Sequence, residues 1–116
     1  MSKYMQIDIR LLPVYGTGGL PDQFPRLAKL LKGARYVRVL EEEPSLYHMV
    51  DVLIRIKNDP AVAVNAKRAV VRMIDQFVKV RDEAREHLLA RRLNELDRAL
   101  YRLEDLFQDL ERELRW

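Results

Sequence analysis

The sequence predicts an α+β protein: a small N-terminal β-α-β-β head, then a long C-terminal helix or helical hairpin with coiled-coil heptads. Three observations predict it. Residues 4–12 alternate apolar and polar side chains as a half-buried strand does. Every glycine and proline lies at or before Pro60, so no breaker interrupts a helix beyond it. From Leu89 onward, apolar residues recur at alternating spacings of four and three. The expected division is a head over residues 1–58 and a helical oligomerisation segment over 59–116.

In the head, Met5, Ile7, Ile9 and Leu11 stand opposite Gln6, Asp8 and Arg10, which is a strand with one wet face. Pro13 ends it, and Gly16-Thr17-Gly18-Gly19 reads as a loop. Asp22 can cap a short helix that tolerates Pro25 in its first turn. Leu27, Leu30 and Leu31 supply the buried face, and Gly33 supplies a C′ stop. Tyr36 to Leu40 reads as a second strand, and Glu41-Glu42-Glu43-Pro44 as its end. A strand, helix and strand in this order imply a parallel pair with a right-handed crossover.

Leu46 to Lys57 fits two readings. As a strand it alternates Val50, Val52, Ile54 and Ile56 with Asp51, Leu53, Arg55 and Lys57. As a helix capped by Ser45 it places Leu46, Met49, Val50, Leu53 and Ile54 on one face. The β-branched residues favour the strand. Asn58-Asp59-Pro60 then opens the helical segment, with Asp59 as N-cap and Pro60 at the first helical position.

Two stripes mark that segment. Val70, Met73, Ile74, Phe77, Val80, Ala84 and Leu88 form the first. Leu93, Leu100, Phe107 and Leu114 at a, with Leu89, Leu96, Leu103 and Leu110 at d, form the second. The second is rotated by roughly a quarter turn from the first, so one straight helix cannot align both. The chain either runs on through a local stutter between Arg85 and Arg92 or folds back there. The missing turn residues favour continuity. Residues 59–92 carry eight basic and five acidic side chains, and 93–116 carry four and seven. Opposite net charges favour antiparallel pairing of two copies, or a hairpin within one chain.

Composition bounds the function. The 116 residues suit one domain, with a net charge of +3 and a pI near 9.3, which is mildly basic. The chain has no Cys, which excludes disulfides and thiolate metal sites. No apolar run approaches the roughly 18 residues of a membrane span, and Asp8 and Arg10 argue against a signal peptide. A cytoplasmic protein follows as the expectation. Abundant Arg, Glu, Leu and Val with few Asn and Gln predict a thermophilic source.

Candidate chemistry is sparse. The Gly16–Gly19 loop stands where backbone N–H groups can cradle a phosphate, as in a nucleotide- or phosphate-binding subunit. It departs from the dinucleotide fingerprint, because Pro21 stands where the third glycine belongs. Arg81-Asp82-Glu83-Ala84-Arg85-Glu86-His87 resembles the short motif of HEPN-type ribonucleases. The structural explanation for the same residues is a salt-bridged arginine at a helix seam and a surface histidine. His48 is a lone histidine, and no metalloprotease, triad or nucleophile-elbow pattern is present. No catalytic residue, cofactor or metal is therefore expected. Arg26, Lys29, Lys32, Arg35 and Arg38 form a basic patch that suits nucleic-acid contact in an alternative reading as a small nucleic-acid-binding protein. Trp116 reads most plainly as a frayed end of the helix, with a coiled-coil cap or a partner anchor as the alternatives.

The favoured expectation is a non-enzymatic oligomeric interaction or scaffold protein, a homo-oligomer and most simply a dimer. Leu89, Leu93, Leu96, Leu100, Leu103, Phe107, Leu110 and Leu114 form its interface, and a further protein is its partner. A short head, a long coiled coil and this composition together resemble in general shape the arcadins, small accessory proteins of archaeal actin-like cytoskeletons. That resemblance implies a filament, or another protein of that cytoskeleton, as the partner, and carries over no catalytic residue.

Overall fold

A computed structural model describes residues 11, 13 and 15–114. These residues form six helices: α1 (Gly19–Gln23), α2 (Pro25–Gly33), α3 (Val37–Glu42), α4 (Leu46–Asn58), α5 (Arg68–Leu89) and α6 (Leu93–Glu113). There is no strand among the described residues, so the α+β expectation and its parallel crossover are overturned. The first expected strand and Trp116 lie outside the described residues, Leu11 excepted.

The second expected strand is α3. Its two-residue alternation was too short to specify a period: Val39 is buried, but Val37 is 46% exposed. The third is α4. Ser45 Oγ accepts the His48 N–H at 3.4 Å and caps it. The helix buries Met49, Val50, Val52, Leu53 and Ile56 together. A strand would divide Met49 and Leu53 from the valines and leave one group in water. Burying large apolar side chains is worth about 1.5–3 kcal/mol each, against a β-propensity range of about 1 kcal/mol, so burial decides.

Asp59 closes α4 instead of opening the next helix. Its carboxylate accepts from Ala61 N at 2.9 Å and from the Tyr36 hydroxyl at 2.8 Å. These bonds, the backbone one foremost, hold the carboxyl below its ordinary range. Lys67 is buried, and its Nζ donates to the Lys57 and Asp59 carbonyls at 3.0 and 2.7 Å. The end of α4 thus finds its partners in a turn segment, and α5 begins only at Arg68.

The long helix is a hairpin. It breaks at Ala90-Arg91-Arg92, where Arg92 N donates to His87 O at 2.9 Å and Arg91 has φ +57°. That is a Schellman stop with arginine in the left-handed slot. The end of α2 repeats it: Tyr36 N donates to Leu31 O at 2.7 Å and Arg35 has φ +67°. The stop residue is therefore Arg35, and Gly33 is the last residue of the helix. An L-residue there costs about 1–2 kcal/mol, part of which glycine gives back in chain entropy. Arg91→Gly is accordingly expected to stabilise the protein by about 0.5–1 kcal/mol in chemical denaturation. Destabilisation by that variant would refute the stop.

The ion pairs Arg72–Glu113, at 2.6 Å, and Arg102–Glu83 cross the hairpin. The first joins a cation of the basic half to an acid of the acidic half, as the charge asymmetry favours, and the second runs the other way, from an arginine of α6 to a glutamate of α5. Phe107 lies at the centre of the core, with its ring 4.7 Å from Phe77 and 6.3 Å from Phe24. Helices α2 and α4 pack on the half of the hairpin nearest its open end. A second, smaller cluster of Ala84, Leu96 and Ala99 holds the other half, with Tyr47 and Leu11 against it. The molecule measures 50 × 27 × 25 Å.

Candidate functional site

The eight heptad residues divide by position. Leu96, Leu103, Phe107, Leu110 and Leu114 are buried, and Leu100 is half-buried. Their partners include α5 and the head helices of the same chain. Leu89 and Leu93 flank the hairpin turn and remain 73% and 57% exposed. Helix α4 spans about 20 Å and α5 about 33 Å at 1.5 Å per residue. Tyr47, at the start of α4, meets the hairpin beside Ala84, so the turn reaches past that helix. Arg92 Nε donates to His87 Nδ1 at 3.0 Å and ties the turn to α5. The tip is thus a held turn presenting two leucines, one on either side of Arg91 and Arg92.

Of the five residues in the expected basic patch, Arg26 has a different task. Glu111 of α6 accepts the Arg26 and Leu27 backbone N–H groups at 2.6 and 2.9 Å. It caps α2 in place of Phe24, the N-cap residue, which offers no side-chain acceptor. In return the Arg26 guanidinium donates to the carbonyls of Arg112 and Leu114 at 3.3 and 2.9 Å. Each helix end satisfies the other, with charge signs matching both dipoles. Lys29, Lys32, Arg35 and Arg38 are exposed and, among the described residues, form no ion pair.

The Gly16–Gly19 loop does offer a donor to an anion, but the anion is internal. Leu20 N donates to Glu43 Oε1 at 3.0 Å. Gly19 has φ +67°, and a Cβ there would collide with the same oxygen. The carboxylate of Glu43 stands where a phosphate would have to bind. Tyr15 donates from its hydroxyl to Pro44 O beside it. Burial, with Glu43 nearby, pushes this phenol up to about 12. An adjacent cleft of about 510 Å³ is lined by Tyr15, Phe24, Tyr47, Glu104 and Gln108 among others, with no Lys or Arg in its described lining. Its charge is wrong for a phosphate.

Arg81 and His87 are not brought together. Six residues of helix turn them about 120° apart. Arg81 bridges α4 and α5, paired with Asp51 at 2.6 Å and Asp82 at 3.0 Å. This is a seam arginine with its charge answered. His48 is exposed and stacks edge-on against Tyr47, 5.2 Å between centroids. Among the described residues, no cluster of three or more His, Asp or Glu could hold a metal, and no helix is long and apolar enough to cross a membrane. Sequence reasoning missed Glu43, Glu111 and Lys67, whose partners lie 8 to 85 residues away. The expected cap, Asp22, lies inside α1, and the N-cap residue of α2 is Phe24, so the acceptor comes from Glu111 instead. The chain matches no family model, no curated protein and no solved structure.

Proposed function

We propose that the chain is a non-enzymatic interaction protein that binds a protein partner, a second copy of itself included, through the tip of the α5–α6 hairpin. The observation that carries this reading is the exposure of Leu89 and Leu93 at 73% and 57%, while the rest of the heptad stripe is used inside the fold. Large apolar side chains left in water at a projecting turn are the sort of surface that partners cover. The fold also limits the strength of self-association. A symmetric contact would bury four leucines, worth about 4–8 kcal/mol at their present exposure. Rigid-body association costs about 4 kcal/mol or more, so the dimer is weak and a larger partner surface is needed for tight binding.

Light scattering across a wide concentration range tests the tip directly. The mass of the wild type is expected to rise toward a dimer at high concentration. Leu89→Asp with Leu93→Asp is expected to stay monomeric with its thermal unfolding unchanged, because both side chains are already in water. A wild-type mass that is independent of concentration would refute association through the tip.

A further inference from the structure

We infer that the corner where α2, α3 and the end of α4 meet is a docking surface for the phosphate backbone of double-stranded nucleic acid. From residue 24 to 40 the chain carries five Lys or Arg and no Asp or Glu. Arg26 is consumed in the helix-end exchange with α6, which leaves Lys29, Lys32, Arg35 and Arg38. Lys29 and Lys32 are neighbours on the outward face of α2, opposite its buried Leu27, Ala28, Leu30 and Leu31. Arg35 is the stop residue of that helix, and Arg38 lies in the first turn of α3.

The fold adds a fifth cation that the linear patch lacks. The Tyr36 hydroxyl binds Asp59 at 2.8 Å and so draws the α2–α3 corner onto the end of α4. Arg55 lies in the last turn of α4, four residues before the Asp59 that Tyr36 binds, and so stands beside the corner. Arg55 is exposed. The adjoining acids are mostly accounted for. Asp59 is tied to Tyr36 and Ala61, and Asp51 to Arg81. Glu41 and Glu42, a turn beyond Arg38, bound the patch on α3.

Two features select the ligand. Arg35, at the stop of α2, sets an exposed cation between Lys32 and Arg38 and makes the patch continuous from α2 to α3, as a phosphate backbone requires. The one aromatic residue there, Tyr36, is half-buried with its hydroxyl occupied, so no free ring stands ready to stack on unpaired bases. Cations without a stacking platform suit a continuous duplex backbone read without sequence preference.

Fluorescence anisotropy with a labelled duplex of arbitrary sequence, titrated over a range of salt, tests this. Five phosphate contacts predict a slope of log K against log salt of about −4 to −5. Lys29→Gln with Lys32→Gln is expected to reduce the slope by about 2, and neither side chain supports the fold. Lys32→Glu, Arg35→Glu and Arg38→Glu together are expected to weaken binding by about tenfold or more. The same charge change at Arg85, Arg98 and Arg112 is expected to have much less effect. Equal losses from the two triple variants would mean that net charge alone attracts the duplex, and would overturn the assignment. So would a salt-independent interaction, absence of binding at low salt, or binding to anionic phosphatidylserine vesicles but not to the duplex.

Discussion

Phe107→Ala is expected to lower the unfolding free energy by about 3–5 kcal/mol. The ring is fully buried and touches Phe77 of α5 and Phe24 at the start of α2. Its removal leaves a cavity at the point where the hairpin holds the head, and aromatic neighbours cannot collapse into it without leaving their own rotamers. Leu93→Ala is the informative companion. Leu93 occupies the same heptad position as Phe107, yet it is 57% exposed. Its loss is expected to stay within about 0.5 kcal/mol. In a continuous coiled coil between two copies, both substitutions would be costly and the cost would depend on concentration. Urea denaturation at two protein concentrations separates the cases, and a large penalty at Leu93 would count against the hairpin.

Glu111→Ala is expected to cost about 2 kcal/mol, the range for a lost helix cap made of two charge-assisted hydrogen bonds. The variant strips the Arg26 and Leu27 N–H groups of their acceptor, while the Arg26 guanidinium keeps its carbonyl partners on α6. Glu111→Gln keeps an acceptor but loses the charge, so it is expected to recover about half of the loss. Hydrogen exchange supplies the local readout. The amides of Arg26 and Leu27 are expected to lose protection well before those of α5. Unchanged stability in Glu111→Ala would show that α2 is held by its leucines alone.

The C-terminal stripe was legible because its period is local. Leu96, Leu103, Phe107 and Leu110 had to be buried on one side of a helix whatever covered them. What covered them was not legible, because the turn that brings α5 back over α6 carries none of the residues that mark turns. Arg91 sits in a left-handed slot where glycine is the usual signal, and the surrounding packing supplies the energy to hold it there. All five residues of the basic patch are exposed, and what sets Arg26 apart is its bonding to α6. Arg26 could not be separated from the others, since its partners are 86 and 88 residues away.

Helix α4 draws the same line from the other side. Its β-branched residues report a local preference for strand, and its leucine and methionine spacing reports a helical face. Local preferences of about 1 kcal/mol cannot choose between two such readings. The choice fell to the apolar surface of α5 and α6, against which a helix buries Met49, Val50, Val52, Leu53 and Ile56 at once. The sequence by itself determined which side chains must leave water and where charge collects. The tertiary structure decided what they pack against, because burial is a property of two surfaces and the sequence pattern describes only one of them.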